Sequence, residues 1–227
     1  MLQDVIDILA APGTLFTRLK EKPYFWLPLL LLLVSTVAST AGYLLLNDEG
    51  YVKDQIIEQA LGNRDLTAEA RRAAEQNIAD MSLQTQAMIS CVAILIAIPA
   101  ISALYAAYLA MVGKFGTRQF SFRHWFTLAC WTGMPAVLAA MVSIIVLVTD
   151  ANGQVSQQEL QPFSITGLLG IDTDSQALSQ FNLMSLWGLA LSAIGYSNWT
   201  GKDIGSAIAI TWAPYILIYG GIALAAL

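Results

Sequence analysis

Charge is what this chain lacks most. Only 12% of its 227 residues are Asp, Glu, Lys or Arg, while 56% are hydrophobic; an ordinary soluble domain carries about 25% charged residues. A mean hydropathy of +0.60 places the surplus apolar surface against lipid rather than water. Basic residues are scarcer than acidic ones, and the net charge of -5 rules out the basic stripe that a phosphate backbone requires, so no nucleic-acid partner is expected. Histidine is nearly absent, with His124 alone, and cysteine is limited to Cys91 and Cys130. Zinc sites need roughly three or four clustered Cys, His or carboxylate ligands. No metal, no cofactor and no catalytic residue is therefore expected.

Long charge-free runs are what the chain does have. Residues 25–46, 86–112, 125–149, 177–196 and 204–227 contain no Asp, Glu, Lys or Arg, and about 20 helical residues cross the hydrocarbon core of a bilayer. The segments between them sort by charge. Those before the first run, between the second and third, and between the fourth and fifth carry Arg18, Lys20, Lys22, Lys114, Arg118, Arg123 and Lys202. The remaining connections, 47–85 and 150–176, hold most of the acidic residues. Under the positive-inside rule this predicts an all-α polytopic membrane protein with five transmembrane helices, N-terminus cytoplasmic and C-terminus extracytoplasmic. The first run serves as an uncleaved signal anchor: it is longer than the apolar region of a secretory signal, about 7 to 15 residues. Cys91 and Cys130 then sit near opposite membrane faces, about 15 Å apart in depth. A disulfide needs Cα atoms within about 7 Å, so both are expected as free thiols.

Flanking segments have their own patterns. In the cytoplasmic segment 1–24, Leu2, Val5, Ile6, Leu9, Phe16 and Leu19 fall near helical spacing, broken at Pro12 and Gly13; this predicts a short helix lying in the membrane interface. Within 47–85, the Ala, Gln and Glu content and the Ala70, Ala74, Ile78, Met81 rhythm predict an external helical hairpin interrupted near Gly62 and Asn63. Segment 150–176, with Gly153, Pro162, Gly167 and Gly170, reads as an irregular external loop with Phe163, Ile165, Leu168 and Leu169 dipping toward the interface.

Taken together, residues 11–19 (Ala-Pro-Gly-Thr-Leu-Phe-Thr-Arg-Leu) with Pro23 and Trp26, the loop 114–122 (Lys-Phe-Gly-Thr-Arg-Gln-Phe-Ser-Phe), the Pro135 helix, and Trp187 to Gly195 followed by the Pro214 helix resemble bacterial members of the YIP1 family. The resemblance covers nearly the whole chain and implies a five-helix membrane fold. Eukaryotic members of the family are associated with vesicle traffic and Rab GTPases. No segment here matches their cytosolic N-terminal region, so a Rab-binding role is not carried over.

Two places are candidates for function. Pro99, Pro135 and Pro214 fall near the middle of their runs, and each frees the carbonyl four residues back, on Leu95, Trp131 and Ile210. Ser102, Thr132 and Thr211 are close enough in sequence to solvate those groups. These six residues are candidates for a midplane cavity that takes a small neutral solute or a lipid headgroup, or else for plain kinks that shape the bundle. Arg123 precedes Pro135 by the same spacing as Lys202 precedes Pro214, a weak sign that spans 2–3 and 4–5 repeat one hairpin, as in some transporters. The second candidate is the cytoplasmic side, where Lys114, Arg118, Arg123, His124 and Lys202 lie among aromatic residues and suit anionic lipid headgroups or the acidic surface of a protein partner. Small residues Ser102, Ala106 and Ala110, and Gly188 with Ser192, suit close packing within the chain or in a homo-oligomer. The reading favoured by the residues is a non-enzymatic scaffold or adaptor in the bacterial inner membrane, acting through its cytoplasmic loops. The alternative is a transporter of a small neutral solute or lipid.

Overall fold

The computed structural model describes residues 2–62, 67–114, 119–161, 163–164 and 182–225. Among these, ten helices follow one another: α1 (Leu2–Ala10), α2 (Pro12–Glu21), α3 (Trp26–Leu46), α4 (Glu49–Leu61), α5 (Ala68–Asp80), α6 (Leu83–Gly113), α7 (Phe122–Thr132), α8 (Met134–Thr149), α9 (Leu183–Thr200) and α10 (Ile204–Ala225). Polar caps set the boundaries. Asp48, Thr67, Ser82 and Asn182 each accept a backbone N–H from the first turn of the helix that follows, which satisfies one of its orphan donors. Pro12 opens α2, where its missing N–H costs nothing. Gly201 closes α9 at φ 72°, the left-handed conformation that ends a helix and turns the chain into α10.

Among the described residues three helices are long and apolar enough to cross a membrane: α3, α6 and the run Phe122–Thr149 formed by α7 and α8. Only 6% of the apolar window of α6 is buried, so most of its surface faces outward. The fourth charge-free run, placed by the sequence at 177–196, overlaps α9, which is described from Leu183 and continues four residues further to Thr200, where Gly201 ends it; residues 165–181, among them Ile165, Leu168 and Leu169, lie outside the described part. The last run holds α10, with Ile204–Ile218 apolar.

Contacts between elements show alternating directions. The Asp48 N–H donates to the Gly153 carbonyl at 2.7 Å, tying the exit of α3 to the exit of α8. Trp199, near the end of α9, packs on Trp125, near the start of α7, with ring centroids 5.8 Å apart. Tyr108 in late α6 reaches the carbonyl of Ile210 in early α10. All the basic connections therefore share one end of the bundle.

Apolar burial is concentrated at both ends. At the acidic end, Tyr43, Leu44, Val52, Leu83, Ala87, Leu147 and Val155 form a small core. The Asn47 side chain grips Val155 there from both sides, accepting its N–H at 3.1 Å and donating to its carbonyl at 3.2 Å. Helices α4 and α5 form a helical hairpin at the acidic end, and Lys53 on the first arm donates to the Ala79 carbonyl on the second at 2.7 Å. A break at Met81 and Ser82 separates α5 from α6. No residue of α5 is fully buried; on the Ala70, Ala74, Ile78 face, Ala70 is exposed while Ala74 and Ile78 are half-buried.

The larger core lies at the basic end and draws on α1, α2, α3 and α6 to α10. Here the structure departs from the interfacial helix expected over 2–19. The segment is two helices, and Ile8, Leu15, Phe16 and Leu19 are at most 1% exposed, packed against α7 and α9. Their period-3.6 face matches protein as well as it would match lipid, because both neighbours are apolar; only Leu2 and Ile6 of the pattern stay exposed.

Candidate functional site

At the basic end the N-terminal hairpin is pinned to an aromatic floor. Gly195 on α9 permits the approach: a Cβ there would come 2.3 Å from Leu128 Cδ1 and 3.1 Å from the Phe16 ring. The Trp199 indole N–H donates to the Phe16 carbonyl at 2.8 Å, and the Asn198 amide donates to Thr17 Oγ1 at 3.1 Å. Lys20 returns a bond to the Asn198 carbonyl at 3.2 Å and lies 5.8 Å over the Phe120 ring. Trp131 ties down the segment before α3 by donating to the Tyr24 carbonyl at 3.0 Å. Beneath the hairpin, Phe120, Trp125, Tyr196 and Trp199 stack edge and face, with centroids 5.5 to 5.8 Å apart.

An ion cluster braces the same hairpin. Arg18 donates to Asp4 at 2.6 Å and to Asp7, and the Tyr24 hydroxyl donates to Asp4 at 2.7 Å. Burial pushes the Asp4 carboxyl up, but the Tyr24 and Arg18 bonds outweigh it and hold it below its usual range. The bonds from Arg18 and Gln3 lower Asp7, and its two carboxylates raise Arg18 in turn.

Four of the five basic residues singled out in the sequence are described at this end of the bundle. Lys114 at the end of α6 and Arg123 at the start of α7 are exposed, and among the described residues neither has an ion-pair partner. Lys202 is half-buried in the α9–α10 turn, its carbonyl taking the Ser197 hydroxyl at 2.7 Å. His124 belongs to the floor: its Nδ1 pairs with Ser121 Oγ at 2.7 Å and its ring meets Phe120 and Trp199. Arg118 lies outside the described residues.

Midway along the bundle there is a cleft of about 220 Å³ among α3, α6, α7, α8, α9 and α10. Ser102 and Thr132 line it; Pro99, Pro135, Thr211 and Pro214 do not. The proline carbonyls are handled in three ways. In α10, which continues through Pro214, the freed Ile210 carbonyl accepts the Tyr108 hydroxyl at 2.8 Å. Thr211 bonds instead to Ala207, at 2.9 Å. At Pro135 the helix breaks: α7 ends at Thr132, and the Trp131 carbonyl accepts the Gly133 N–H. Thr132 turns to Ala129, at 3.0 Å. Pro99 stays inside an unbroken α6. The two prolines that the repeat pattern equates thus have different local structures.

The wall from α9 was missed as a group by the sequence reading. Met184, Ser185, Gly188, Leu189 and Ser192 supply it, of which only Gly188 and Ser192 had been marked, as packing residues. Gly188 is bare where a Cβ would fall 2.9 Å from the Thr132 carbonyl. Ala106 is fully buried and Ser192 is 2% exposed, so these small residues serve packing within this chain. The Tyr105 and Tyr108 hydroxyls, not singled out in the sequence as links between helices, join α6 to α10 through the Thr211 and Ile210 carbonyls. The available signal was their i, i+3 spacing, which puts two phenols on one face of an apolar helix. Both cysteines are free thiols, Cys130 buried and facing Ser102. Among the described residues no group of three His, Cys, Asp or Glu side chains is gathered as metal ligands would be.

Comparison with known proteins gives one match: the Yip1 domain, over residues 6–225. No curated protein and no solved structure matches the chain.

Proposed function

The chain belongs to the Yip1 family, and from that premise we propose that it is a five-span bacterial inner-membrane protein that works as a scaffold or adaptor through its cytoplasmic end. The family is not known as one of enzymes. In this reading α3, α6, α7 with α8, α9 and α10 span the bilayer, the N-terminus is cytoplasmic and the C-terminus extracytoplasmic. The gathering of every basic connection at one end supports that orientation. Single cysteines at positions 63 and 202, in a background without Cys91 and Cys130, should react with an impermeant maleimide on intact spheroplasts at 63 alone; labelling at 202 would reverse the orientation.

The observation that carries the scaffold reading is an aromatic platform beside exposed Lys114 and Arg123, which have no ion-pair partner among the described residues. Such cations attract anionic headgroups or an acidic protein surface at about 1 kcal/mol each near the membrane. In nanodiscs of mixed anionic and zwitterionic lipid, spin-labelled phosphatidylglycerol should be immobilised around the protein in a salt-sensitive way. Replacing Lys114, Arg118 and Arg123 together by Gln should reduce that enrichment several-fold; an unchanged enrichment would sink the reading.

The cleft favours a second reading, transport of a small neutral solute or a lipid through a midplane site. Its position among the spans and its uncharged, hydroxyl-bearing walls support it.

A further inference from the structure

We propose that the cleft between α6, α9 and α10 is a binding site for the head of a neutral, hydroxyl-bearing lipid of the diacylglycerol class, admitted sideways from the bilayer. The inference rests on the second reading above for the place of the site, but not on transport.

Three properties select that chemistry. The first is charge: among the described residues no Lys, Arg, His, Asp or Glu lines the cleft, so the phosphate of a phospholipid would enter without a counter-ion from them, which is costly in a medium of low dielectric.

The second is hydrogen-bond polarity. The Thr132 hydroxyl donates to Ala129, that of Ser192 to Leu189 at 2.7 Å, and that of Tyr105 to Thr211 at 3.1 Å. Each has spent its hydrogen on a backbone carbonyl and keeps lone pairs. The Thr132 carbonyl lacks its helical donors, since Pro135 has no N–H and the Ala136 N–H goes to Gly133, and it lies against the Gly188 backbone. The wall also carries the Ser102, Ser185 and Tyr215 hydroxyls, so it offers lone pairs beside hydroxyl hydrogens and suits an alcohol, which both donates and accepts, better than a phosphodiester, which only accepts.

The third is access. Ile101 and Tyr215, on the rim, are 64% and 39% exposed. Beyond them the outer faces of α6 and α10 are apolar, with Leu104 and Leu217 more than 70% exposed. A molecule arriving through this rim comes from lipid. Pockets for whole drug-sized ligands are about 300–1,000 Å³, so a cleft of about 220 Å³ admits a glycerol head and leaves the acyl chains in the bilayer.

Native mass spectrometry of the purified full chain tests this with dioleoylglycerol, dioleoyl-phosphatidylglycerol and free glycerol. Dioleoylglycerol should be retained at least ten-fold better than the phosphatidylglycerol at equal concentration. Ser185→Leu, which fills the cleft from an exposed lining position, should cut that retention at least ten-fold, whereas Leu217→Ala on the outer face should leave it intact. If Ser185→Leu fails to fold, Ala136→Leu blocks the opposite wall with the same expectation. Equal retention of phosphatidylglycerol, displacement by free glycerol, or full retention by the blocked variant would each overturn the proposal. Retention reads occupancy alone, and glycerol or lipid flux in proteoliposomes reads transport alone, so the failure of either reading is seen separately.

Discussion

Removing one hydroxyl, in Tyr108→Phe, should have a cost that depends on a proline on another helix. Pro214 has no N–H, so the carbonyl of Ile210 loses its helical donor; the Tyr108 hydroxyl replaces it at 2.8 Å. An unsatisfied buried acceptor costs about 1–3 kcal/mol, and interhelical hydrogen bonds in membranes average about 0.6 with a maximum near 1.7. Tyr108→Phe should therefore cost about 1 kcal/mol, several-fold in the unfolding equilibrium. In a Pro214→Ala background the new N–H can reach Ile210, so the same Tyr108→Phe change should cost almost nothing. Tyr105→Phe is the control: its hydroxyl goes to Thr211, whose helical donor at Tyr215 is intact, so its cost should be smaller and indifferent to Pro214. Unfolding in mixed micelles, followed by steric trapping, gives all three values and the coupling energy of the cycle. Equal costs of Tyr108→Phe with and without Pro214, or a larger cost for Tyr105→Phe, would refute the reasoning.

Two glycines on α9 should rank by what their new Cβ meets. At Gly188 the obstacle is the Thr132 backbone carbonyl, 2.9 Å away; at Gly195 it is the end of the Leu128 side chain, 2.3 Å away, with Phe16 next. Overpacking costs about 1–3 kcal/mol against about 0.5–1 gained by Ala over Gly in a helix. Both Ala variants should be destabilised, Gly188→Ala more, since a backbone cannot rotate aside; thermal melts that show Gly195→Ala to be the worse would reverse the argument. The hairpin should also have an acid limit. Asp4 and Asp7 have folded pKa values below the ordinary 3.8, so their contribution to docking is present above that value and is lost as pH falls through the lowered ones. Emission from Trp199 in a variant with the other five tryptophans replaced by Phe should stay flat from neutral pH to about 4, then change, and Arg18→Gln should shift that change to higher pH. A transition centred near the ordinary pKa of histidine, about 6.5, would point to His124 instead.

The parts of this fold written as long-range composition were legible in the chain. Charge-free length marks α3, α6 and the α7–α8 run without any knowledge of contacts, because the bilayer imposes its thickness on each helix independently. The α4–α5 hairpin was equally local, since Asp48, Thr67 and Ser82 announce their own helix starts. What composition cannot tell is which apolar surface an apolar face will meet. Phe16 and Leu19 have the same hydropathy whether they face lipid or Trp199, and the choice is made by the bare Gly195 and by donors at Asn198 and Trp199, far away in sequence.

The midplane cleft shows the same limit at the level of single hydroxyls. Proline marks the carbonyls that need a donor, and the sequence offered Thr132 and Thr211 as neighbours in the chain. Both threonines turned back on their own helices, to Ala129 and Ala207, as hydroxyls in apolar helices readily do. Their lone pairs remain, while at Pro214 the donor comes from Tyr108 on another helix. Chain neighbours supply local bonds almost automatically, so a donor from a second helix forms only where the bundle brings the two together. Tyr108 therefore reports tertiary structure in a way that Thr211 cannot. By the same reasoning the Thr132 and Ser192 hydroxyls, each satisfying a carbonyl of its own helix, leave their oxygens in the cleft for a ligand that brings the hydrogen.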